Sequence, residues 1–88
     1  MKENKKLLKS DQLKIDIIKI LLDEKYHTPS EMAIKLRTNS QTIIRNCYFL
    51  ELLGFIKIEE IETKQKVTYI KLSEKGKREF EKIISKLK

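Results

Sequence analysis

The segment of residues 28–56 constrains the fold of this chain more than any other part of the sequence. It contains two helix starts separated by a short polar break, then a glycine that ends the second helix and a strand-like apolar run. This order is the layout of a helix-turn-helix that leads into a β-hairpin. Because the second helix of such a motif is shaped to enter the major groove of DNA, the pattern predicts a binding protein rather than a catalyst.

The first helix of the segment begins with strong capping residues. Thr28 can cap the helix, Pro29 suits the first helical position because no N–H is needed there, and Glu31 can complete a capping box. We expect this helix to end near Leu36. Its predicted inward residues are Met32, Ala33 and Leu36.

The second helix begins after the polar pair Arg37 and Thr38. Asn39 is a good cap for a helix over residues 40–53, and Gly54 can take the positive φ that ends it. Apolar residues recur at helical spacing along one face and predict its buried side. They are Ile43, Cys47, Leu50 and Leu53.

The flanking sequence completes an α-α-α-β-β-α order. Capping residues predict a first helix over residues 11–25 and a last helix over residues 74–87. Two β-branched and aromatic runs predict strands at 55–61 and 67–72, with a five-residue tip between them. We therefore predict an α+β, mainly α, fold with a basic N-terminal arm at residues 1–10 and one domain over residues 11–88.

The charge of the chain points to a polyanionic partner. Lys and Arg number 20 against 13 acidic residues, for a formal net charge of +7, which favours DNA first, RNA second and an anionic membrane surface third. No apolar run is long enough to span a membrane, and the Lys-rich start lacks the apolar stretch of a signal peptide. We expect no membrane partner and a cytoplasmic, nucleoid-associated protein.

The residue types required for catalysis or metal binding are scarce. One cysteine, Cys47, excludes an intrachain disulfide and a Cys-based zinc site, and one histidine, His27, cannot supply a metal site or a catalytic triad. Glycine occurs only at Gly54 and Gly76, so no phosphate-binding loop exists. We expect no enzyme activity, no cofactor, no metal and no small-molecule ligand. Cys47 is interpreted as a buried hydrophobe and His27 as a loop or capping residue.

Three elements of the sequence, in this order, resemble the winged helix-turn-helix family, specifically the small MarR- and PadR-like regulators and their archaeal and archaeal-virus relatives. They are TPSEMAIKL, NSQTIIRNCYFLELLGFI and YIKLSEKGKREF, and the resemblance covers residues 12–87. The second is similar to the family's recognition helix, and the third to the Leu-Thr-x-x-Gly segment that follows its wing. The resemblance implies a regulator of transcription that binds double-stranded DNA, and repression by occluding a promoter is the simplest mechanism.

The predicted DNA contacts follow from placing the helix over residues 40–53 in the major groove. Gln41 can pair with adenine, and Arg45 with guanine or a phosphate. The full predicted set is Arg37, Ser40, Gln41, Thr42, Ile44, Arg45, Tyr48, Lys64 and Lys66. An ordinary solvated surface stays the alternative for the polar members, and Ile44 and Tyr48 can equally pack against a partner subunit.

The first and last helices carry more apolar surface than a lone small domain normally hides. This surplus predicts a two-fold homodimer, although the last helix can instead pack back on its own domain. The predicted interface residues are Ile15, Ile18, Leu22, Phe80, Ile83, Ile84 and Leu87. Such a dimer would hold two recognition helices about 34 Å apart, one DNA turn, and bind a palindromic or pseudo-palindromic site.

Two other functions stay open at this point. A winged helix can serve protein contact in a transcription or replication assembly, and acidic residues in the wing, unfavourable next to phosphates, would fit that use. The apolar patch for such a partner is Ile44, Tyr48, Phe49 and Leu52, and the acidic wing residues are Glu59, Glu60 and Glu62. The other alternative is an architectural DNA binder with little sequence preference, which would bind random and selected duplexes equally.

Overall fold

The structure is a computed structural model that describes the backbone of residues 9–87 and the side chains of residues 11–82. The described elements follow the predicted α-α-α-β-β-α order. They are α1 (Lys9–Leu21), α2 (Pro29–Lys35), α3 (Ser40–Leu52), β1 (Ile56–Glu62), β2 (Lys66–Leu72) and α4 (Glu74–Leu87). Residues 1–8 of the predicted basic arm lie outside the described part of the chain.

The helix-turn-helix forms at the residues that the capping pattern predicted. Thr28 Oγ1 accepts a hydrogen bond from the Glu31 N–H at 3.2 Å, and Asn39 Oδ1 accepts one from the Thr42 N–H at 2.8 Å. Between the two helices Arg37 adopts a φ of +57°, a left-handed conformation that glycine takes more easily. The turn therefore forms without a glycine, and the left-handed conformation of Arg37 makes it less stable than the same turn with a glycine would be.

Helix α1 ends four residues earlier than predicted. It stops at Leu21 rather than at residue 25 because Glu24 turns the backbone with a φ of +65°. The Asp23 carboxylate accepts a hydrogen bond from the Lys25 N–H at 2.8 Å and stabilises this turn. The early stop sends the chain back toward the sheet, where His27 joins it.

The hydrophobic core lies between α1, α2, α3 and the base of the hairpin. Its largest fully buried side chains come from all of these elements: Ile17, Ile18, Leu21, Met32, Ile43, Cys47 and Ile70. Two sequence-based expectations are wrong here. Ile18, which was predicted to lie in a dimer interface, is 1% exposed because both α3 and β2 cover α1. Leu53, which was predicted to face the core, is 41% exposed and lies just after the last helical residue, Leu52.

The β-hairpin, which we call the wing (residues 56–72), pairs β1 with β2 antiparallel. Ile56 lies opposite Leu72 at its base, and Glu62 lies opposite Lys66 at its outer end. The tip consists of residues 63–65, shorter than the predicted five, because the strand pairing extends one residue further on each side. The inward residues of the base enter the core, and the outer half extends beyond it.

His27 joins the wing to the helices. Its backbone N–H donates to the Ile70 carbonyl at 2.9 Å, and its carbonyl accepts from the Ile70 N–H at 2.7 Å. Its buried ring lies between two carboxylates, with Nδ1 2.6 Å from Glu31 Oε2 and Nε2 2.8 Å from Asp23 Oδ2. One residue therefore ties the end of α1, the start of α2 and β2 together.

Helix α4 docks through the segment that resembles the family's Leu-Thr-x-x-Gly. Ser73 Oγ donates to the Gly54 carbonyl at 2.6 Å and accepts from the Gly76 N–H at 2.9 Å. Gly76 packs against the Phe55 carbonyl, and one turn later the Phe80 ring meets the Phe55 ring edge-on at 5.1 Å. Phe80 is thus partly covered by its own domain. The predicted interface side chains of Ile83, Ile84 and Leu87 lie outside the described residues.

Gly76→Ala should destabilise the fold. A Cβ at this position would overlap the Phe55 backbone carbonyl, which already accepts the Ser73 N–H at 3.0 Å and cannot retreat freely. We expect a loss of about 2–3 kcal/mol in the free energy of unfolding, measured by urea titration followed by circular dichroism. Glu79→Ala, an exposed change in the same helix, is the control. Equal stability of the two variants would contradict this account of the contact.

Glu31→Gln should change the response of stability to acid. The hydrogen bond to His27 holds the pKa of the Glu31 carboxyl below its ordinary value of 4.5. A carboxyl with a lowered folded-state pKa contributes stability above its unfolded pKa, and loses that contribution as the pH falls through the folded pKa. Urea titrations should show Glu31→Gln about 1 kcal/mol less stable at neutral pH. The gap to wild type should close as the pH falls below the ordinary value of 4.5 and through the lowered folded-state pKa. A gap that stays constant between neutral and acid pH would contradict the assignment.

Candidate nucleic-acid interface

The outer face of α3 displays the two residues predicted to read bases. Gln41 and Arg45 are exposed and one helical turn apart, while Ile43 and Cys47 on the opposite side are fully buried. Burial of that side fixes the rotation of the helix, so the polar face is directed to solvent. Amide and guanidinium groups on such a face can form bidentate hydrogen bonds with adenine and guanine edges.

The start of α3 shares an open cleft with α2 and the wing. Ser40 and Ile44 contribute to it from α3, and the Ser40 and Ser30 hydroxyls are 3.4 Å apart. The remaining lining residues come from the start of α2 and from β2: Thr28, Pro29, Lys66, Val67 and Thr68. The start of α2, the start of α3 and the more distant strand β2 therefore form one surface.

The other predicted contact residues differ in their exposure and in the cleft that they border. Thr42 is half-buried, and its N–H is already bonded to Asn39, so it has less freedom to bind a phosphate. Tyr48 is 53% exposed but borders a different cleft, with Glu51, Ile58 and Glu60. Arg37 is exposed in the turn between α2 and α3.

The two wing lysines differ in their surroundings. Lys64 is exposed at the tip of the hairpin. Lys66 Nζ lies 3.3 Å from Glu60 Oε1, with both side chains about half-exposed. A cation that already has an anionic partner is a weaker phosphate ligand, because the ion pair must break first. Lys64 is therefore the stronger candidate for a phosphate contact, although the sequence predicted the same role for both lysines.

Sequence reasoning missed Ser30 and Thr68 as members of this region, and it placed Glu60 in the wing without identifying Lys66 as its partner. Ser30 directly follows the capping pair of α2, a position where a hydroxyl lies beside free backbone N–H groups. Thr68 follows Lys66 at the two-residue spacing that places side chains on one face of a strand. The sequence therefore contained enough information to predict the positions of Ser30 and Thr68. The position of Glu60 beside Lys66 depends on the strand register, which the sequence left undetermined.

An apolar surface occupies the outer side of the C-terminal half of α3. Leu52 is 82% exposed, Phe49 is 48% exposed, and the Lys14 ammonium lies 5.1 Å from the centre of the Phe49 ring. Exposed apolar clusters of this kind mark contacts with another macromolecule more often than scattered single residues do. Tyr48 is also exposed and lies next to Phe49 in the same half of α3.

Cys47 lies in the core and has no exposed surface. Burial, with a smaller effect of Glu51, raises the pKa of its thiol to about 12. The thiolate that reacts with oxidants is therefore essentially absent at neutral pH, which agrees with the interpretation of Cys47 as a buried hydrophobe.

Within residues 11–82, the histidine, cysteine and acidic side chains form no group of three that could hold a metal ion. Asp23 and Glu31 approach His27 from two different ring nitrogens, so their oxygens do not converge on one point. No helix in the described part of the chain is long and apolar enough to cross a membrane.

Several solved structures share the fold of this chain, and two of them are regulators or homologues of regulators of transcription. A transcriptional regulator homologue from Pyrococcus horikoshii OT3 matches with a TM-score of 0.80 and 18% identity, over 88% of this chain and 77% of that one. NMB1585, a MarR family regulator from Neisseria meningitidis, matches with a TM-score of 0.65 and 24% identity, over 75% of this chain and 46% of that one.

The YusO protein from Bacillus subtilis matches with a TM-score of 0.75 and 19% identity, and the chain spans 60% of its length. No protein-family model and no curated protein sequence matches the chain. At these identities the similarity establishes the fold. The chain has the winged helix-turn-helix fold found in MarR-family regulators, as the sequence resemblance implied.

Proposed function

We propose that this protein is a transcriptional regulator that binds double-stranded DNA in a sequence-specific manner through α3. The observation that carries the proposal is the exposed pair Gln41 and Arg45 on the outer face of a helix whose rotation the buried core fixes. The net charge of +7 and the fold shared with solved regulators support it. Repression by occupying a promoter is the simplest way in which a small DNA-binding domain regulates transcription.

In this proposal α3 lies in the major groove, with its first turns against the base edges. Gln41 pairs with adenine, Arg45 pairs with guanine or a flanking phosphate, and Ile44 contacts a thymine methyl group. The residues proposed to position the protein on the DNA backbone are Arg37, Ser40, Thr42, Lys64 and Lys66, and Tyr48 is the remaining proposed DNA contact. Phosphate contacts of this kind set register and affinity, whereas the base contacts set the sequence.

Arg45→Ala should weaken binding to duplexes selected from a random pool by about ten- to hundredfold, and binding to the random pool by less, because it removes a bidentate base contact of the recognition helix. We would titrate a pool of random duplexes of about 30 base pairs at several salt concentrations, with fluorescence anisotropy as the readout. Gln41→Ala should have a smaller effect on the random pool, and a larger one on duplexes selected from it.

Lys82→Ala is the control for Arg45→Ala. It lowers the net charge by the same amount at an exposed position of α4, away from the proposed interface. If Lys82→Ala and Arg45→Ala weaken binding equally, general attraction rather than α3 accounts for the affinity. Absence of binding by the wild-type protein at low salt would rule out the proposed function.

We also propose that the DNA-bound form is a two-fold homodimer. Ile18 is excluded from its interface by burial in the core, which leaves Ile15, Leu22, Phe80, Ile83, Ile84 and Leu87. Ile15, Leu22 and Phe80 keep part of their surface exposed in the single chain. Two recognition helices about one DNA turn apart would then bind a palindromic or pseudo-palindromic site.

Ile84→Glu should shift the protein from dimer to monomer in sedimentation velocity, because a charge in a two-fold apolar interface is repeated on both partners. Lys82→Glu, an exposed change two residues earlier, should leave the dimer intact. A wild-type protein that sediments as a monomer at high micromolar concentration would contradict the dimer proposal.

The exposed apolar surface on α3 favours a second candidate function. Leu52 and Phe49, with the neighbouring Tyr48, could contact a protein partner in a transcription or replication assembly. This function is the one to pursue if the wild-type protein fails to bind DNA at low salt. An architectural DNA binder, the remaining alternative, would show equal affinity for random and selected duplexes.

A further inference from the structure

The ion pair between Glu60 and Lys66 spans the two strands of the wing. Glu60 lies opposite Thr68 in the register, and Lys66 lies opposite Glu62, so the pair is a diagonal one across the hairpin. Alternation along each strand places these residues on the same face as Ile58 and Ile70, which face the helices at the base of the wing. The pair therefore forms on the side of the wing that faces the helices. It does not form on the outer side.

Glu60 also borders α3. It lines a shallow cleft with Tyr48 and Glu51 of that helix, and the Glu51 carboxylate accepts a hydrogen bond from the Ile58 N–H at 3.3 Å. Lys66, in turn, lines the neighbouring cleft with Ser40 and Ile44. Glu60 and Lys66 thus each line a cleft that α3 also lines, and the ion pair joins the two residues.

Glu59 provides the contrast within the same strand. It lies on the opposite face of the wing, where its carboxylate accepts a hydrogen bond from the Tyr26 hydroxyl at 3.2 Å. Glu59 and Glu60 carry the same charge and are consecutive residues of β1. Only Glu60 has Lys66 as its partner, so the two acids differ in which contact they can influence.

We propose that Glu60 lowers the affinity of this protein for DNA of any sequence by holding Lys66 in an ion pair that must break before Lys66 can reach a phosphate. This inference rests on the proposed function. Non-specific affinity comes mainly from phosphate contacts and the counterions that they release. A lysine engaged by a carboxylate contributes little to it, and the carboxylate itself repels the phosphates. Glu60 would thereby keep the protein from being retained on unrelated DNA.

The test compares four proteins in the anisotropy titration with random duplexes: wild type, Glu60→Gln, Lys66→Gln and the double variant. We expect Glu60→Gln to bind about three- to tenfold more tightly at low salt, with a slope of affinity against salt steeper by about one unit. Lys66→Gln alone should weaken binding by about twofold, a smaller change than the gain from Glu60→Gln, because the paired lysine makes only part of its phosphate contact. The double variant should lose most of the gain, because the released lysine is absent.

Glu59→Gln is the matched control, since it removes the same charge from the other face of the wing. The inference is overturned if Glu60→Gln and Glu59→Gln behave alike, or if the double variant keeps the full gain, because Glu60 would then act through net charge alone. If wild type binds DNA and Arg45→Ala weakens it while Glu60→Gln has no effect, only this inference fails. If none of the proteins binds DNA at low salt, the proposed function fails with it.

Discussion

The backbone pairing between His27 and Ile70 is the constraint on which the geometry of this domain depends. Two hydrogen bonds of 2.9 and 2.7 Å attach β2 to the link between α1 and α2, and the buried His27 ring is held there by Asp23 and Glu31. Further contacts attach the hairpin to the rest of the domain through side chains, with the Ile58 N–H donating to the Glu51 carboxylate and the Tyr26 hydroxyl donating to the Glu59 carboxylate. The backbone pairing places β2 beside the start of α2, and residues of both elements line the cleft that α3 also borders.

The charge distribution around that cleft is mixed, although the chain as a whole is strongly basic. Arg37 and Arg45 are exposed on the helix-turn-helix, whereas β1 carries three glutamates, and one of these pairs with Lys66. Under the proposed function, the net charge supplies long-range attraction to DNA, and the helix-turn-helix makes the closest contacts. The wing contributes less, because Glu60 partly neutralises Lys66.

Local signals in the sequence were most reliable where a single side chain decides the backbone conformation. Thr28, Asn39, Ser73 and Gly54 begin or end helices as predicted, because capping depends on groups within a few residues of each other. The end of α1 was predicted wrongly because no glycine marks it. Glu24 adopts a left-handed conformation that its residue type disfavours, and the surrounding contacts hold it there.

The sequence by itself determined the order of elements, the buried face of α3 apart from Leu53, and the candidate residues Gln41 and Arg45, because helical periodicity is a property of neighbouring residues. The tertiary structure alone decided that Ile18 is covered on both sides, that Ser30 and Ser40 meet, and that Glu60 rather than Glu62 pairs with Lys66. These outcomes depend on strand register and on how α1 packs between α3 and β2. Both are set by contacts between residues far apart in the chain, and a local sequence pattern does not encode such contacts.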